Sequence, residues 1–142
     1  MTFQERTTIV YGLLADYAAF GASNKMTVVG IFTHVFPLFD GPTQIPPCYL
    51  AVSLKASSMT DPARPLEIDV VDGNGDPVPD TPVLRITAEF IAPGPGYPLH
   101  AHFCAPVPSF VVPGAGDYSF EIRDHGEWVG NIPVVVAPAP TG

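Results

Sequence analysis

Apolar and polar residues alternate along several short stretches of this chain, as they do in half-buried β-strands. The clearest stretch is Cys48–Ala56, where one side of an extended chain carries Leu50, Val52 and Leu54. The same period of two recurs in Leu66–Val71 and Asp117–Arg123, with acidic or other polar residues on the opposite side. Strands with one apolar and one polar face favour antiparallel sheets.

Eight apolar segments can be recognised, and turns rich in Pro and Gly separate them. Because many short strands with frequent turns are typical of sandwiches and barrels, we expect an all-β fold. The specific prediction is an antiparallel two-sheet β-sandwich of about eight strands, immunoglobulin-like in general architecture. It forms one domain over residues 1–142, with loose ends at about 1–6 and 137–142. The segments are Thr8–Phe20, Met26–Phe36, Cys48–Ala56, Leu66–Val71, Val83–Ile91, Leu99–Val107 continuing to Val112, Asp117–Arg123 and Trp128–Val136.

The first two segments differ in how clearly they predict a strand. Met26–Phe36 is rich in β-branched and aromatic residues, which indicates a central strand, and Gly30 within it predicts a bulge or a close backbone approach. In the first segment, residues 12–20 are compatible with a strand or with a short helix, and this choice stays open.

The charge of the chain argues against two classes of partner. The 142 residues carry a formal net charge of −8, and their two lysines and four arginines are scattered. Because nucleic acids and anionic membrane surfaces attract clustered cations, we expect neither as a partner. No apolar run is long enough to span a bilayer, and no basic segment typical of a signal peptide opens the chain. We therefore expect a cytoplasmic or virion-associated protein.

The two cysteines, Cys48 and Cys104, allow two interpretations. A disulfide between facing sheets would suit their separation in sequence, whereas a reducing compartment favours buried free thiols. We favour the free thiols, and the sequence leaves the pairing open.

Two patterns could bind a metal ion. Asp72–Asp76 matches the start of a calcium-binding loop, but Pro77 and Val83 occupy the positions that need Gly and Glu, so a tight turn is expected. His100, His102 and Cys104 share one strand face and are zinc-ligand types. Because alternate residues are about 6.6 Å apart, two neighbours could share a metal but all three could not, and His34 is the other candidate ligand. His100 and His102 therefore remain candidates, with no metal predicted.

No catalytic constellation is visible, so we predict no enzyme activity and no cofactor. Ser109 lacks the strand-to-helix context of a nucleophile elbow, and no phosphate-binding or dinucleotide-binding motif occurs. Asp16 lies within an apolar run and is expected to be partly buried, where it would cap the turn after the first strand.

Several stretches together resemble a known family. They are Leu14–Ala18, Lys25–Phe32, Leu66–Asp72 with its Gly turn, and the late hairpin from Pro113 through Gly116 to Glu121. Over roughly Tyr11–Val136, the chain is similar to a family of small bacterial proteins known only as a domain of unknown function. The resemblance implies a β-sandwich and assigns no activity and no functional residues.

Three function classes follow as hypotheses. The first is a non-enzymatic protein-binding or assembly module, as a homo-oligomer or a subunit of a larger particle such as a phage virion decoration protein. Low charge density and neutral, Pro-rich loops support it. The second is a metal-binding or small-molecule-binding protein that uses the His100/His102 face. The third is an enzyme of an unrecognised type, which would need a deep pocket around Asp16 or a histidine.

Overall fold

Every regular element in the described part of the chain is a β-strand. The computed structural model describes residues 7–21, 25–57 and 61–140. The strands are β1 (Thr7–Phe20), β2 (Met26–Phe32), β3 (His34–Val35), β4 (Thr43–Ile45), β5 (Cys48–Ala56), β6 (Ala63–Asp72), β7 (Leu84–Glu89), β8 (Leu99–Val107), β9 (Phe110–Val112), β10 (Gly116–Asp124) and β11 (Glu127–Val136).

The strands form three sheets. Their orders are β2-β1-β5-β8, β3-β11-β10-β6-β7 and β4-β9. The pairings are antiparallel except for β3, which runs parallel to β11. The all-β prediction is therefore confirmed, whereas the expected number of eight strands is wrong.

Strands too short to show a period of two account for the difference in number. β4 has three residues and lies in the stretch expected to be a loop, where it pairs with β9. The helical alternative for residues 12–20 is wrong, because these residues belong to β1. Residues 137–140 follow the last strand without regular structure, and the other predicted loose ends, 1–6 and 141–142, lie outside the described residues.

The two larger sheets contribute to one hydrophobic core, and the alternation in the sequence identifies its members. Leu50, Val52 and Leu54 of β5 are fully buried, and their neighbours in the core include residues of β6, β10 and β11. Burying each such aliphatic side chain contributes about 1.5 to 3 kcal/mol of hydrophobic stabilisation.

β1 bends sharply at Asp16. The Tyr11 hydroxyl donates a hydrogen bond to Met26 Sδ at 3.6 Å, although Met26 pairs with Phe20, nine positions after Tyr11. A straight strand would separate Tyr11 from Phe20 by roughly 30 Å. Pairing with β5 ends just before Asp16. Gly30 lies in β2, opposite Asp16, and its φ of 70° belongs to the left-handed region.

The bend places the end of the β1–β2 hairpin over the outward face of the four-stranded sheet. We call residues 17–20 and 26–29 the distal hairpin. The Tyr17 ring lies 5.4 Å from the ring of Tyr49, and the Phe20 ring lies 5.9 Å from that of His102. Ala51 and Ser53 alternate with core residues of β5 and yet are fully buried, because this side of the sheet is covered as well.

The outward face of the five-stranded sheet is polar and carries ion pairs. Arg123 contacts Asp69 at 3.1 Å and also pairs with Glu121, while Arg85 lies 3.6 Å from Glu67. A surface of this kind is well solvated, which contrasts with the covered face of the other sheet.

The two cysteines carry free thiols and lie on adjacent strands. Cys48 lies on the core side of β5 and is buried. Cys104 pairs with Ala51, whose side chain points to the opposite face. Because their side chains leave opposite faces of the sheet, a disulfide between them is sterically excluded.

Candidate functional site

A cavity lies where the edge strands of the two larger sheets meet, β7 in one sheet and β8 in the other. The chain turns back between β7 and β8. At the base of this turn, the backbone groups of Ile91 and His100 exchange hydrogen bonds of 2.8 and 2.9 Å. Beyond this bridge β7 pairs with β6 and β8 pairs with β5, so the two arms separate into different sheets. The space between the arms is a cavity of about 520 Å³, which we call the edge cavity.

The edge cavity is mainly apolar. Ala88 and Phe103 are its buried residues, and Phe20 reaches it from the distal hairpin. Ile91 and Pro93 complete the apolar lining and are exposed at its mouth. Its size falls within the range of about 300 to 1,000 Å³ that is usual for ligand pockets.

Both histidines singled out in the sequence line the edge cavity. The rings of His100 and His102 are nearly parallel, with centroids 6.3 Å apart, and the Phe20 ring continues the series beyond His102. His100 Nδ1 lies 3.2 Å from the Pro98 carbonyl oxygen. Because a carbonyl can only accept, Nδ1 carries the proton and Nε2 is left as an acceptor. Thr87 and Glu89 add polar groups to the lining.

The structure does not bring a third metal ligand to these histidines. Among residues 7–21, 25–57 and 61–140, no group of three or more His, Cys, Asp or Glu side chains could hold a metal ion. Cys104 lies further along β8, and burial raises the pKa of its thiol. His34 lies in β3, at the far edge of the other sheet, where its Nδ1 is 2.7 Å from Thr33 Oγ1.

Asp16 is not the buried carboxylate that the sequence suggested. It lies within β1, its side chain is exposed, and it faces Gly30 across the hairpin, so it does not cap the end of the strand. The sequence could not show this, because β1 continues past Asp16 as far as Phe20, so no turn follows this residue for the carboxylate to cap.

Asp72 uses its carboxylate to hold its own turn. Its Oδ1 accepts backbone hydrogen bonds from Asn74 at 2.9 Å and from Asp76 at 3.1 Å. The predicted turn is therefore present, although Pro77 and Val78 continue beyond it before β7 begins.

One feature that the sequence did not predict is an exposed apolar loop. Phe36, Leu38 and Phe39 follow β3 and are 77%, 78% and 81% exposed. We call residues 36–39 the apolar loop. The sequence assigned Phe36 to a strand and left Leu38 and Phe39 in a loop. The available signal was the run Phe-Pro-Leu-Phe, which places three large apolar residues in a segment expected to be polar.

The apolar loop is continuous with apolar residues of β2. Ile31 and His34 line a common cavity of about 320 Å³, and the ring of His34 is nearly parallel to that of Phe36, at 6.0 Å. Val29 and Ile31 are themselves 56% and 57% exposed. The apolar loop and the exposed residues of β2 thus lie close to one another, beside a cavity whose lining also includes Asp16.

A third cavity, of about 390 Å³, carries Arg85, Arg123 and His125 on the five-stranded sheet. Each of these arginines already has a carboxylate partner, which removes the excess positive charge that an anion site needs.

Comparison with known families gives a match over most of the chain. Residues 10–137 match the model of a family of unknown function (DUF6941). No curated protein and no solved structure matches the chain. No helix in the described residues could span a lipid bilayer.

Proposed function

We propose, for a chain that belongs to the DUF6941 family of unknown function, that it is a non-enzymatic protein-association module. Its contact surface is the apolar loop together with the exposed residues of β2. The observation that carries this proposal is the exposure of about four-fifths of Phe36, Leu38 and Phe39 in one short loop. Each large apolar side chain left in water forgoes about 1.5 to 3 kcal/mol of burial, and contiguous apolar patches of this kind mark interaction sites.

The open edge of β2 supports the same surface. β2 is the edge strand of its sheet and has seven residues, none of them Lys, Arg, Asp, Glu or Pro. Edge strands are usually protected by charges or by Pro, because their free backbone groups pair readily with another chain. A partner that covers β2 and the apolar loop would provide that protection. Self-association and assembly into a larger particle, such as a virion, are the two forms that this function can take.

The β-sandwich arrangement is part of the proposal. It is supported by the single core that both larger sheets share, and by the close packing of Ile132 in β11 over Gly12 in β1. A rigid two-sheet body would present the apolar loop at a fixed position. The bacterial source and the cytoplasmic or virion location remain predictions.

Photo-crosslinking tests the proposed contact surface. A photoreactive phenylalanine analogue replaces Leu38 in the apolar loop, and in a control chain it replaces Glu127, which is exposed at the start of β11. In cells that express the two chains, we expect protein adducts from position 38 and few from position 127. If irradiation gives no protein adduct at position 38, or equal adducts at both positions, the proposed surface is wrong.

A second candidate function is small-molecule binding in the edge cavity. The parallel rings of His100, His102 and Phe20 favour a planar aromatic ligand, because such rings offer faces for stacking. Isothermal titration calorimetry would test this, with a panel of aromatic acids and amines and with Zn²⁺, an ion that imidazole side chains coordinate. Binding that is lost in His102→Ala would support it, and the absence of any binding would exclude it for these ligands.

A further inference from the structure

The apolar loop and the edge cavity lie on opposite sides of the molecule. In the five-stranded sheet, β3 leads into the apolar loop at one edge, and β7 borders the cavity at the other. Four strand spacings separate these edges, which is roughly 19 Å. A single chain therefore cannot place its own apolar loop in its own edge cavity.

The two features are complementary in chemistry and in form. The apolar loop projects large apolar side chains. The cavity is concave and its buried residues are Ala88 and Phe103. Asp40 directly follows the loop, and the cavity presents the His102 imidazole, which can donate a hydrogen bond to a carboxylate, while Glu89 is the acidic residue in its lining.

β8, at the border of the cavity, is also an edge strand of its sheet. It has nine residues and no Lys, Arg, Asp or Glu, and Pro106 near its end is its one residue of an edge-protecting type. Its backbone pairs with β5 along one side. On the other side, His100 bonds to Ile91. The backbone N–H and C=O groups of successive residues in a strand point to alternate sides. Those of His102 and Cys104 therefore point to the same side of β8 as those of His100, away from β5.

From these observations we infer that copies of this chain associate head to tail, with the apolar loop of one copy seated in the edge cavity of the next. The inference rests on the proposed function and names its partner as a second copy. A projecting apolar element and a complementary pocket elsewhere on the same surface produce a heterologous contact, which repeats until a ring closes or a filament grows.

The area available is consistent with a specific contact. Aromatic side chains bury roughly 150 to 250 Å² each, so Phe36 and Phe39 together supply roughly 300 to 500 Å² of the 800 Å² usual per partner, and Leu38 adds to this area. Val29 and Ile31 on the loop side and Ile91 at the mouth of the cavity are exposed and can supply the remainder.

Two single substitutions test the inference, one on each side of the contact. Phe39→Asp changes the apolar loop, and Ile91→Asp changes the mouth of the cavity; these side chains are 81% and 67% exposed, so neither supports the core. Trp128→Asp is the matched control, because Trp128 is 62% exposed and lies outside both surfaces. Circular dichroism and thermal unfolding verify that each variant is folded, and Leu38→Asp replaces Phe39→Asp if the latter is not.

Sedimentation velocity over a concentration series gives the expected result. The wild type and Trp128→Asp form species larger than one chain, and each of the two contact variants weakens self-association about tenfold or more, which corresponds to about 1.4 kcal/mol. An equimolar mixture of Phe39→Asp and Ile91→Asp has one intact loop and one intact cavity per pair. It therefore forms a one-to-one dimer and no larger species.

Three results would overturn the head-to-tail contact. They are a wild type that stays monomeric up to millimolar concentration, a mixture of variants that does not dimerise, and association that depends on Phe39 but not on Ile91, as in a loop-to-loop contact. If the wild type is monomeric while position 38 still crosslinks to a different protein, the head-to-tail contact fails and the association module stands. If position 38 crosslinks to nothing, the proposed function itself fails.

Discussion

Ile132 of β11 packs directly over Gly12 of β1, so that a Cβ added at Gly12 would lie 2.5 Å from Ile132 Cγ1. The same two strands make a second contact of this kind, in which Ile9 of β1 packs over Gly130 of β11. β1 and β11 belong to different sheets. Each strand thus contributes one glycine and one isoleucine, and the missing side chains allow the two sheets to approach closely at this point.

We expect Gly12→Ala to lower the free energy of unfolding by about 1 to 3 kcal/mol, because the branched Ile132 side chain is held in the core and cannot move away. Urea denaturation measures the change. Gly73→Ala is the control, since an added Cβ there meets its nearest atom at 3.5 Å and should be tolerated. Equal stability of Gly12→Ala and the wild type would contradict the close packing.

Arg64 and Asp124 provide a second test of what holds the five-stranded sheet together. Arg64 donates hydrogen bonds of 2.9 to 3.1 Å to both carboxylate oxygens of Asp124, a residue that is 9% exposed. Replacing Arg64 by Met leaves this carboxylate buried without its main partner, so we expect a loss of about 3 kcal/mol in chemical denaturation. Arg85→Met removes an exposed ion pair and should change stability by less than about 1 kcal/mol. A similar effect of both substitutions would contradict the special role of the buried pair.

The sequence predicted the long strands well, because a half-buried strand must alternate to place its apolar residues in the core. Cys48–Ala56 and Leu99–Val107 have the same bounds in the sequence analysis and in the structure. β4 could not be predicted, because three residues carry no measurable period and its pairing with β9 joins segments far apart in sequence. The bend of β1 was also missed, since the alternation of apolar and polar residues indicates which face a side chain takes and not the direction of the strand.

The candidate site was predicted in part. Alternation along β8 correctly placed His100 and His102 on one face. The cavity beside them, however, forms only because β7 and β8 separate into different sheets, which is a property of the topology. The apolar loop was missed because a loop with large apolar residues can bury them or expose them, and local sequence does not distinguish the two.

The ionisation of Cys48 makes the stability of the folded protein depend on pH in the alkaline range. Burial raises the pKa of its thiol to about 11, and the negative charge of Asp16 adds to this effect. The folded state therefore holds the proton more tightly than the unfolded state, whose thiol titrates near the ordinary value of 9.0. The stabilisation is complete below about pH 9 and is lost as the pH rises towards 11, by about 2 to 3 kcal/mol.

Urea denaturation at several pH values between 7 and 11 measures this loss. Other groups also titrate in this range, so the wild type is compared with Cys48→Ala, in which the decline should be shallower by the stated amount. An identical decline in both proteins would show that the thiol of Cys48 does not contribute.

Gly30 controls whether the distal hairpin stays on the outward face of the four-stranded sheet. Gly30→Ala forces a Cβ into the left-handed region at φ 70°, at a cost of about 1 to 2 kcal/mol, and brings it against the Asp16 carboxylate. Contacts of Tyr17 with Tyr49, of Phe20 with His102 and of Met26 with Tyr11 hold this hairpin against the sheet, and we expect the strain to loosen it locally. Hydrogen exchange measured by mass spectrometry should then accelerate at residues 17–20 and 26–29, and at β5 beneath them only slightly.

Two further variants separate the causes of that release. Gly41→Ala introduces a similar backbone strain, at φ 102°, in open space far along the chain, so it should leave exchange in the distal hairpin unchanged. Combining Gly30→Ala with Asp16→Ala removes the clash with the carboxylate atoms, leaves the Cβ of residue 16 at 3.0 Å and keeps the backbone strain, so exchange should remain faster than in the wild type. If the double variant restores wild-type exchange, the clash with Asp16 is the cause, and the left-handed backbone at Gly30 does not determine the bend.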